Sequence, residues 1–455
     1  MNKFAKSGVP TLSICESPSL LERYYALIAE CAAKYESAPT GDSFAPPMQL
    51  PKLDTRMSAF LSPATASMYE LGEYQGYPLR LLDLRQNPNT QTTKTFASSI
   101  IVVRAICYIQ ETDRPVLLFS PSSGNKAVAL RDAVARALAA GLVRPKQLRI
   151  ATLTPAQTIS KLRRSTLSED PELRVLNPVF VLNHALPETV KQIGQNFQLL
   201  FHQHADGHFH LWNSLQLENY RVADQVRAFF DYEFGYAACA NVRIAHAHSV
   251  SSAYGLLGYQ SGIEALKERG YLTADPAFLL IQHLATCDMV LHALKNSFDR
   301  KAVPEYTMRQ DGAWVQDVCA HFPLRTWSPN EVLEHTFYTH QPSTAIEMSK
   351  LISTGGGSGI IVSLLECFER YAQCRALLRN SAVVLPEDPR RLNEWSLVMA
   401  TTGVLNAIDR GLLHGIDAVT IHASGTYSFD DYLSIPPEWT HTIDHAEQMI
   451  DTVLK

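Results

Sequence analysis

The chain lacks several features that would assign it to a class at once. No stretch approaches the roughly 18 uninterrupted apolar residues of a membrane-crossing helix. Ile100-Ile101-Val102-Val103 is broken at once by Arg104. Neither sign of charge dominates: 40 Lys and Arg face 45 Asp and Glu, a net charge of −5, with no long block of either. Without a basic footprint, no nucleic-acid partner is expected, and no membrane partner either. The eight cysteines (15, 31, 107, 239, 287, 319, 367 and 374) sit singly, with no Cys-x-x-Cys. They read as reduced thiols of a cytoplasmic protein rather than as a disulfide frame. The first thirty residues show no basic start followed by an apolar run, so export is not expected. There is no internal repeat and no low-complexity tract.

What is present is length and a globular composition. The 455 residues are 46% hydrophobic and 19% charged. At about 150 residues per domain this suggests two to three domains with ample core. Pro39, Pro46, Pro47, Pro51 and Pro63 interrupt the chain after a helical stretch at Leu20–Tyr35. Residues 1–80 therefore read as an N-terminal extension packing on the body. Further on, short apolar runs alternate with helical stripes. Val116–Phe119, Leu148–Leu153, Val179–Leu182, Phe278–Ile281 and Ala418–His422 read as buried strands. A helix is expected after Asn125, ending at Gly141, and another over 155–164. Strands alternating with helices imply βαβ units and an α/β fold with a mostly parallel sheet.

Two local motifs carry chemistry. In Phe119-Ser-Pro-Ser-Ser-Gly-Asn-Lys-Ala127 a Ser/Gly loop opens a helix, which suits an anion, carboxylate or phosphate. It is neither a P-loop nor a dinucleotide fingerprint, and a Ser-rich turn with a helix cap is the plain alternative. In Asn87-Pro-Asn-Thr-Gln-Thr-Thr-Lys94 a polar loop ends on a lysine, which precedes Asn125 by 31 positions. That pairing resembles the pyridoxal-phosphate enzymes of the tryptophan synthase β or fold type II group, which includes threonine synthase, cysteine synthase, threonine dehydratase and serine racemase.

The resemblance implies roles for particular residues. Lys94 matches the family's Schiff-base lysine and general base at Cα. Ser122, Ser123, Gly124, Asn125 and Lys126 match the loop that holds the substrate carboxylate, with Asn125 also beside the cofactor ring. Ser249, Ser251, Ser252, Ala253, Tyr254 and Gly255, running towards Gly258, look like the phosphate-binding loop. Ser424, in Val419-Thr-Ile-His-Ala-Ser-Gly-Thr426, looks like the serine that meets the pyridine nitrogen. Ser358, in Leu351–Ile360 leading into a helix, is the reserve for that contact.

The resemblance covers residues 80–430 and implies two lobes of open, mostly parallel sheet flanked by helices, with the cofactor, pyridoxal 5′-phosphate, in the cleft. The smaller lobe is expected at 97–225 and the larger at 81–96 plus 226–455, in a homodimer. The implied activity is β- or γ-elimination or replacement on an amino acid, by a lyase or synthase. Lys126, a cation where the family has a small polar residue, suggests a substrate with an acidic or phosphorylated side chain. Thr95-Phe96 stands where the family has Asp-Arg, and serines replace glycines in the phosphate loop. A non-catalytic relative that binds an amino acid or protein partner is the second reading.

Other signals are weaker. His202, His204, His208 and His210 could line one face of a strand, as some metal sites do, but no Cys or carboxylate lies at zinc spacing. No metal is expected, and surface or loop histidines are the ordinary reading. His248 either bonds the phosphate or caps its loop. Phe429-Asp-Asp-Tyr432 reads as a solvated turn. The aromatic run Phe229, Phe230, Tyr232, Phe234 and Tyr236 reads as helix-packing core.

Overall fold

The alternation of apolar runs and helical stripes resolves into two mostly parallel sheets in the computed structural model, which describes residues 14–35, 44–122, 124–183, 189–204, 207, 209–235 and 242–454. Ser123, His208, Tyr236 and Cys239, singled out above, lie outside the described residues, as does the side chain of Cys15. The principal strands are β1 (Ile14–Ser17), β2 (Ala66–Tyr74), β3 (Tyr77–Asp83), β4 (Val116–Pro121), β5 (Leu148–Pro155), β6 (Val179–Leu182), β7 (His210–Asn213), β8 (Ile244–Ser249), β9 (Ala277–His283), β10 (Gly357–Val362), β11 (Ala418–Ala423) and β12 (His441–Ile443). Five helices carry the argument: α1 (Lys94–Thr112), α2 (Asn125–Ala139), α3 (Val226–Phe234), α4 (Tyr254–Glu268) and α5 (Ser396–Asp409). No described helix is long and apolar enough to cross a membrane.

The chain divides into two compact units. The first holds the residues up to Ser17, Thr65–Gln86 and Asp224–Ser428. Its seven-stranded sheet runs β1-β2-β3-β11-β8-β9-β10. The neighbours from β3 onward are parallel, and the β1-β2-β3 edge is antiparallel. Strand alternation sorts its side chains. Ala245, Ala247, Val419, Ile421 and Ala423 form one core with Leu279, Ile281 and the apolar side of α5. The opposite face carries His246, His248, Thr420 and His422, also buried.

The second unit holds Pro18–Ala64, Asn87–Ala223 and Phe429–Lys455. Its sheet runs β12-β6-β5-β4-β7 and is parallel throughout. Leu117, Phe119, Leu153 and Phe180 pack against Phe197 and Phe201 of the helix Thr189–His204. The expected α/β class and parallel sheets are therefore present, but the division of the chain differs. Pro18–Ala64, the start of Asn87–Ala223 and Phe429–Lys455 belong to the second unit, whereas the sequence reading made residues 1–80 an extension on the body and placed 81–96 and 226–455 in the larger lobe. The reasons are specific. The Arg104 guanidinium of α1 donates to the carbonyls of Pro46 and Pro47, and β12 adds a parallel strand beside β6. Met449, Ile450 and Val453 then complete the core.

Other local readings shift as well. The helix expected over 155–164 is a 3-10 turn, Ala156–Lys161, where the Thr158 hydroxyl bonds the Pro155 carbonyl. His202 and His204 end a helix and His210 lies on a strand, so among the described residues of this cluster no two histidines share a strand face. His210 stacks on Phe44 at 4.2 Å instead. The Gly355-Gly356-Gly357 run does not open a helix. A helix, Ala345–Gly355, precedes it and β10 follows.

Gly357 has φ +111°, and a Cβ there would fall on the backbone of Phe278. The glycine exists to seat β10 against β9. Gly357→Ala should lower the denaturant midpoint by the equivalent of more than about 1 kcal/mol, because both the left-handed φ and the close approach exclude a side chain.

Candidate active site

In the second unit the loop 87–93 is fastened before it delivers Lys94 to the first turn of α1. Asp132 of α2, buried, accepts from Asn87 Nδ2 at 3.0 Å and from Asn89 Nδ2 at 3.1 Å. Arg136 Nε donates to the same carboxylate at 2.8 Å. The Thr95 hydroxyl lies 2.7 Å from that of Thr90, and Phe96 enters the core. These contacts explain the residues that stand where the family has Asp-Arg: Thr95 closes the loop and Phe96 packs. Lys94 is half-buried, with its Nζ 5.6 Å from the centre of the Tyr220 ring.

The anion loop lies at the N-terminus of the neighbouring helix. Ser122 Oγ accepts from the N–H groups of Gly124 and Ala127, each at 3.3 Å, and so caps α2. Gly124 takes φ +142° there. The next side chain, Lys126, is buried rather than presented to solvent, and its Nζ donates to the Ser214 carbonyl at 2.8 Å. Burial, and then the charge of Lys94, push its pKa down to about 7. Lys94, Ser122, Gly124 and Lys126 thus gather at the entries of two packed helices.

In the first unit β8 runs through Ser249 into the turn that starts α4. Ala253 takes the left-handed conformation, φ 51°, and caps α4 with no side-chain hydrogen bond. Ser249 is buried, and its hydroxyl donates to the Ser396 carbonyl. Ser252 Oγ donates to Thr339 Oγ1 at 3.4 Å, while Ser251 and Tyr254 are half-buried. A Cβ on Gly255 would lie 2.7 Å from Arg227 Nη2. The guanidinium of α3 therefore rests on the first turn of α4, paired with Asp224 at 2.5 Å. Arg227 Nη1 also lies 3.4 Å from His248 Nε2, while His248 Nδ1 meets the Ser249 carbonyl at 2.6 Å.

Ser424 follows β11 and is buried. Ser358 lies on the edge strand β10, with its Oγ 3.4 Å from His321 Nδ1. It sits in register with Leu279, Ala247 and Ile421, three strands from β11. At about 4.8 Å per strand that is ~14 Å, so the two serines are not brought together.

Behind Ser424 a buried chain of polar groups crosses the sheet face. Tyr259 donates to Asp231 Oδ2 at 2.7 Å and lies 3.1 Å from His246 Nε2. His246 Nδ1 lies 3.1 Å from His422 Nε2. Burial lowers the pKa of His246 despite Asp231. It lowers that of His422 further, and the charges of His246, His248 and Arg227 add to the effect. Both rings are held neutral. Arg227, Asp231 and Tyr259 were not singled out from the sequence. The available signal was charge at i, i+3 and i+7 (Asp224, Arg227, Asp231) in a stretch rich in apolar and aromatic residues.

A family model described as "Family of unknown function (DUF6002)" matches residues 16–455. No curated protein matches the chain. Among solved structures, threonine synthase from Escherichia coli superposes with a TM-score of 0.53 at 14% identity, covering 99% of this chain and 91% of that one. Threonine synthase from yeast gives 0.51 at 11% identity, with 88% and 82% covered. The fold is accordingly that of the fold type II group.

Lys126 makes a pH test of the buried site. Unfolded, its amine keeps a proton up to about 10.5, whereas the folded chain releases it near 7. The unfolded chain binds more protons between those values, so stability rises with pH across that window. Denaturant titrations from pH 7 to 10 should show this rise, and Lys126→Met should abolish it.

Proposed function

The chain belongs to the DUF6002 family, matched over residues 16–455, and has the threonine-synthase fold; from its own residues we propose that it is a pyridoxal-phosphate-dependent lyase or synthase. The proposed substrate is an amino acid with a β- or γ-leaving group. The observation that carries the reading is the gathering of Lys94 with the Ser122–Lys126 helix entry around the Asp132-fastened loop.

The residues present fit the cofactor. Lys94, at the entry of α1, offers the primary amine that would carry it. The entry to α4, with no side-chain cap and with the Arg227 guanidinium on its first turn, has the donors a phosphate needs. Ser251, Ser252, Ala253, Tyr254 and Gly255 would hold that phosphate. Ser249 would act as a support, since its hydroxyl is engaged by Ser396. When bound, the cofactor supplies the electron sink for a carbanion at the substrate Cα.

The remaining work falls to the protein. Lys94 Nζ would take the Cα proton and later deliver one to the departing group. Ser122 has no acceptor for its own proton among the described residues and could donate it to the substrate carboxylate, beside the Gly124 and Asn125 backbone. Asn125 would lie beside the cofactor ring. Ser424 would meet the ring nitrogen with a hydroxyl, which cannot hold a ring proton as a carboxylate does. That choice favours loss of a side-chain substituent over transamination. Lys126, charged only below about pH 7, would serve an acidic or phosphorylated side chain in that range. The resemblance that suggests the activity also suggests a homodimer.

The test is spectroscopic. Reconstitution with pyridoxal phosphate should yield a yellow protein whose visible band is lost in Lys94→Ala. Candidate amino acids, including ones with acidic side chains, should then change the band. A wild-type protein that stays colourless under the same conditions would sink the enzyme reading and leave the non-catalytic one.

A further inference from the structure

Away from Lys94, the second unit contains a cavity of about 520 Å³. One wall is a single face of α2, Val128, Arg131, Asp132, Ala135 and Arg136, at helical spacing. The other walls come from the 87–93 loop through Pro88 and Asn89, from Arg163 and Arg164 after β5, and from Tyr432.

The charges on these walls are not balanced. Arg131 is 3% exposed, and Nη1 donates to the Asn177 carbonyl at 2.9 Å. Its Nε has no hydrogen-bond partner, and no carboxylate pairs with it, among the described residues. Burial alone, with no charge to offset it, lowers its pKa to about 10. A buried guanidinium without a counter-ion is costly, and proteins pair such groups. The nearest carboxylate on its helix, Asp132, is already engaged by Arg136, Asn87 and Asn89. Glu169 and Asp431, which also line the cavity, are exposed at its rim. Arg163 adds a second guanidinium, 4.2 Å from the centre of the Tyr432 ring.

We propose that this cavity is a binding site for a small oxyanion metabolite, a carboxylate or a phosphate, whose charge pairs with Arg131. The aromatic wall at Tyr432 would accept the carbon body of such a ligand. The site would report to the loop that ends in Lys94. Arg163 Nη1 donates to the Pro88 carbonyl at 3.2 Å and Nη2 to Gln91 Oε1 at 3.0 Å. Asp132, next to Arg131, holds the same loop by two asparagines. An anion seated there would tighten the 87–93 segment whatever chemistry Lys94 performs, so the proposal stands apart from the enzyme reading.

Calorimetric titration of the full chain with succinate and, separately, with inorganic phosphate tests the site and distinguishes the two sources. One of them should bind saturably near one per chain and raise the thermal midpoint. Arg131→Met should weaken that binding at least tenfold while leaving the ligand-free midpoint equal or higher, because it removes an uncompensated charge. Ala135→Trp, which fills the cavity and keeps Arg131, should weaken it likewise. Absence of saturable binding by both probes in the wild type overturns the proposal, as does binding that survives either substitution undiminished.

Discussion

One buried carboxylate sets the geometry of the second unit's functional end. Asp132 accepts from two asparagines of the 87–93 loop and from Arg136 one turn along its own helix. A carboxylate out of water needs several donors, and the three it has come from both sides of a helix packing. The entry of α1, with Lys94, is therefore fixed relative to the entry of α2, with Ser122 and Lys126. The unusual Asn-Pro-Asn loop serves this fastening. It leaves Arg131, the preceding residue on the helix, with no carboxylate of its own among the described residues.

The first unit solves a different problem. The core on one face of its sheet is built of aliphatic and aromatic side chains, while the other face buries histidines, a tyrosine and two aspartates. These are tolerable because they bond one another in a chain, Asp231 to Tyr259 to His246 to His422, with the imidazoles neutral. Arg227 is neutralised by Asp224 before it reaches the first turn of α4. The polar face thus keeps a cation at the foot of a helix N-terminus with a carboxylate beside it.

The strands were legible because strands of a parallel sheet, covered on both faces, read as short apolar runs. Val179–Leu182 is recovered residue for residue, and Ala418–His422 within one. The placement of Lys94, Ser122 and Asn125 at helix entries was legible because a loop opening a helix is a local pattern. Arg227 was not, since its meaning lies in Gly255 and His248, both more than twenty positions away. Glycine was misleading in one place. Gly355–Gly357 looks like a ligand loop, yet its lack of Cβ serves the close approach of two strands.

The amino-acid sequence alone determined the α/β class, the mostly parallel character of the sheets, the resemblance to the fold type II group and the local identity of the candidate loops. These rest on periodicity, on neighbours a few positions apart and, for the resemblance, on the order of short motifs along the chain. The tertiary structure decided which segments belong to which unit, because β12 and the Pro46–Pro47 carbonyls find their partners across hundreds or tens of residues. It also decided the state of each charge. Lys126 becomes a titrating amine, His422 a neutral ring and Arg131 a buried cation in want of an anion, through burial and partners that spacing along the chain does not encode.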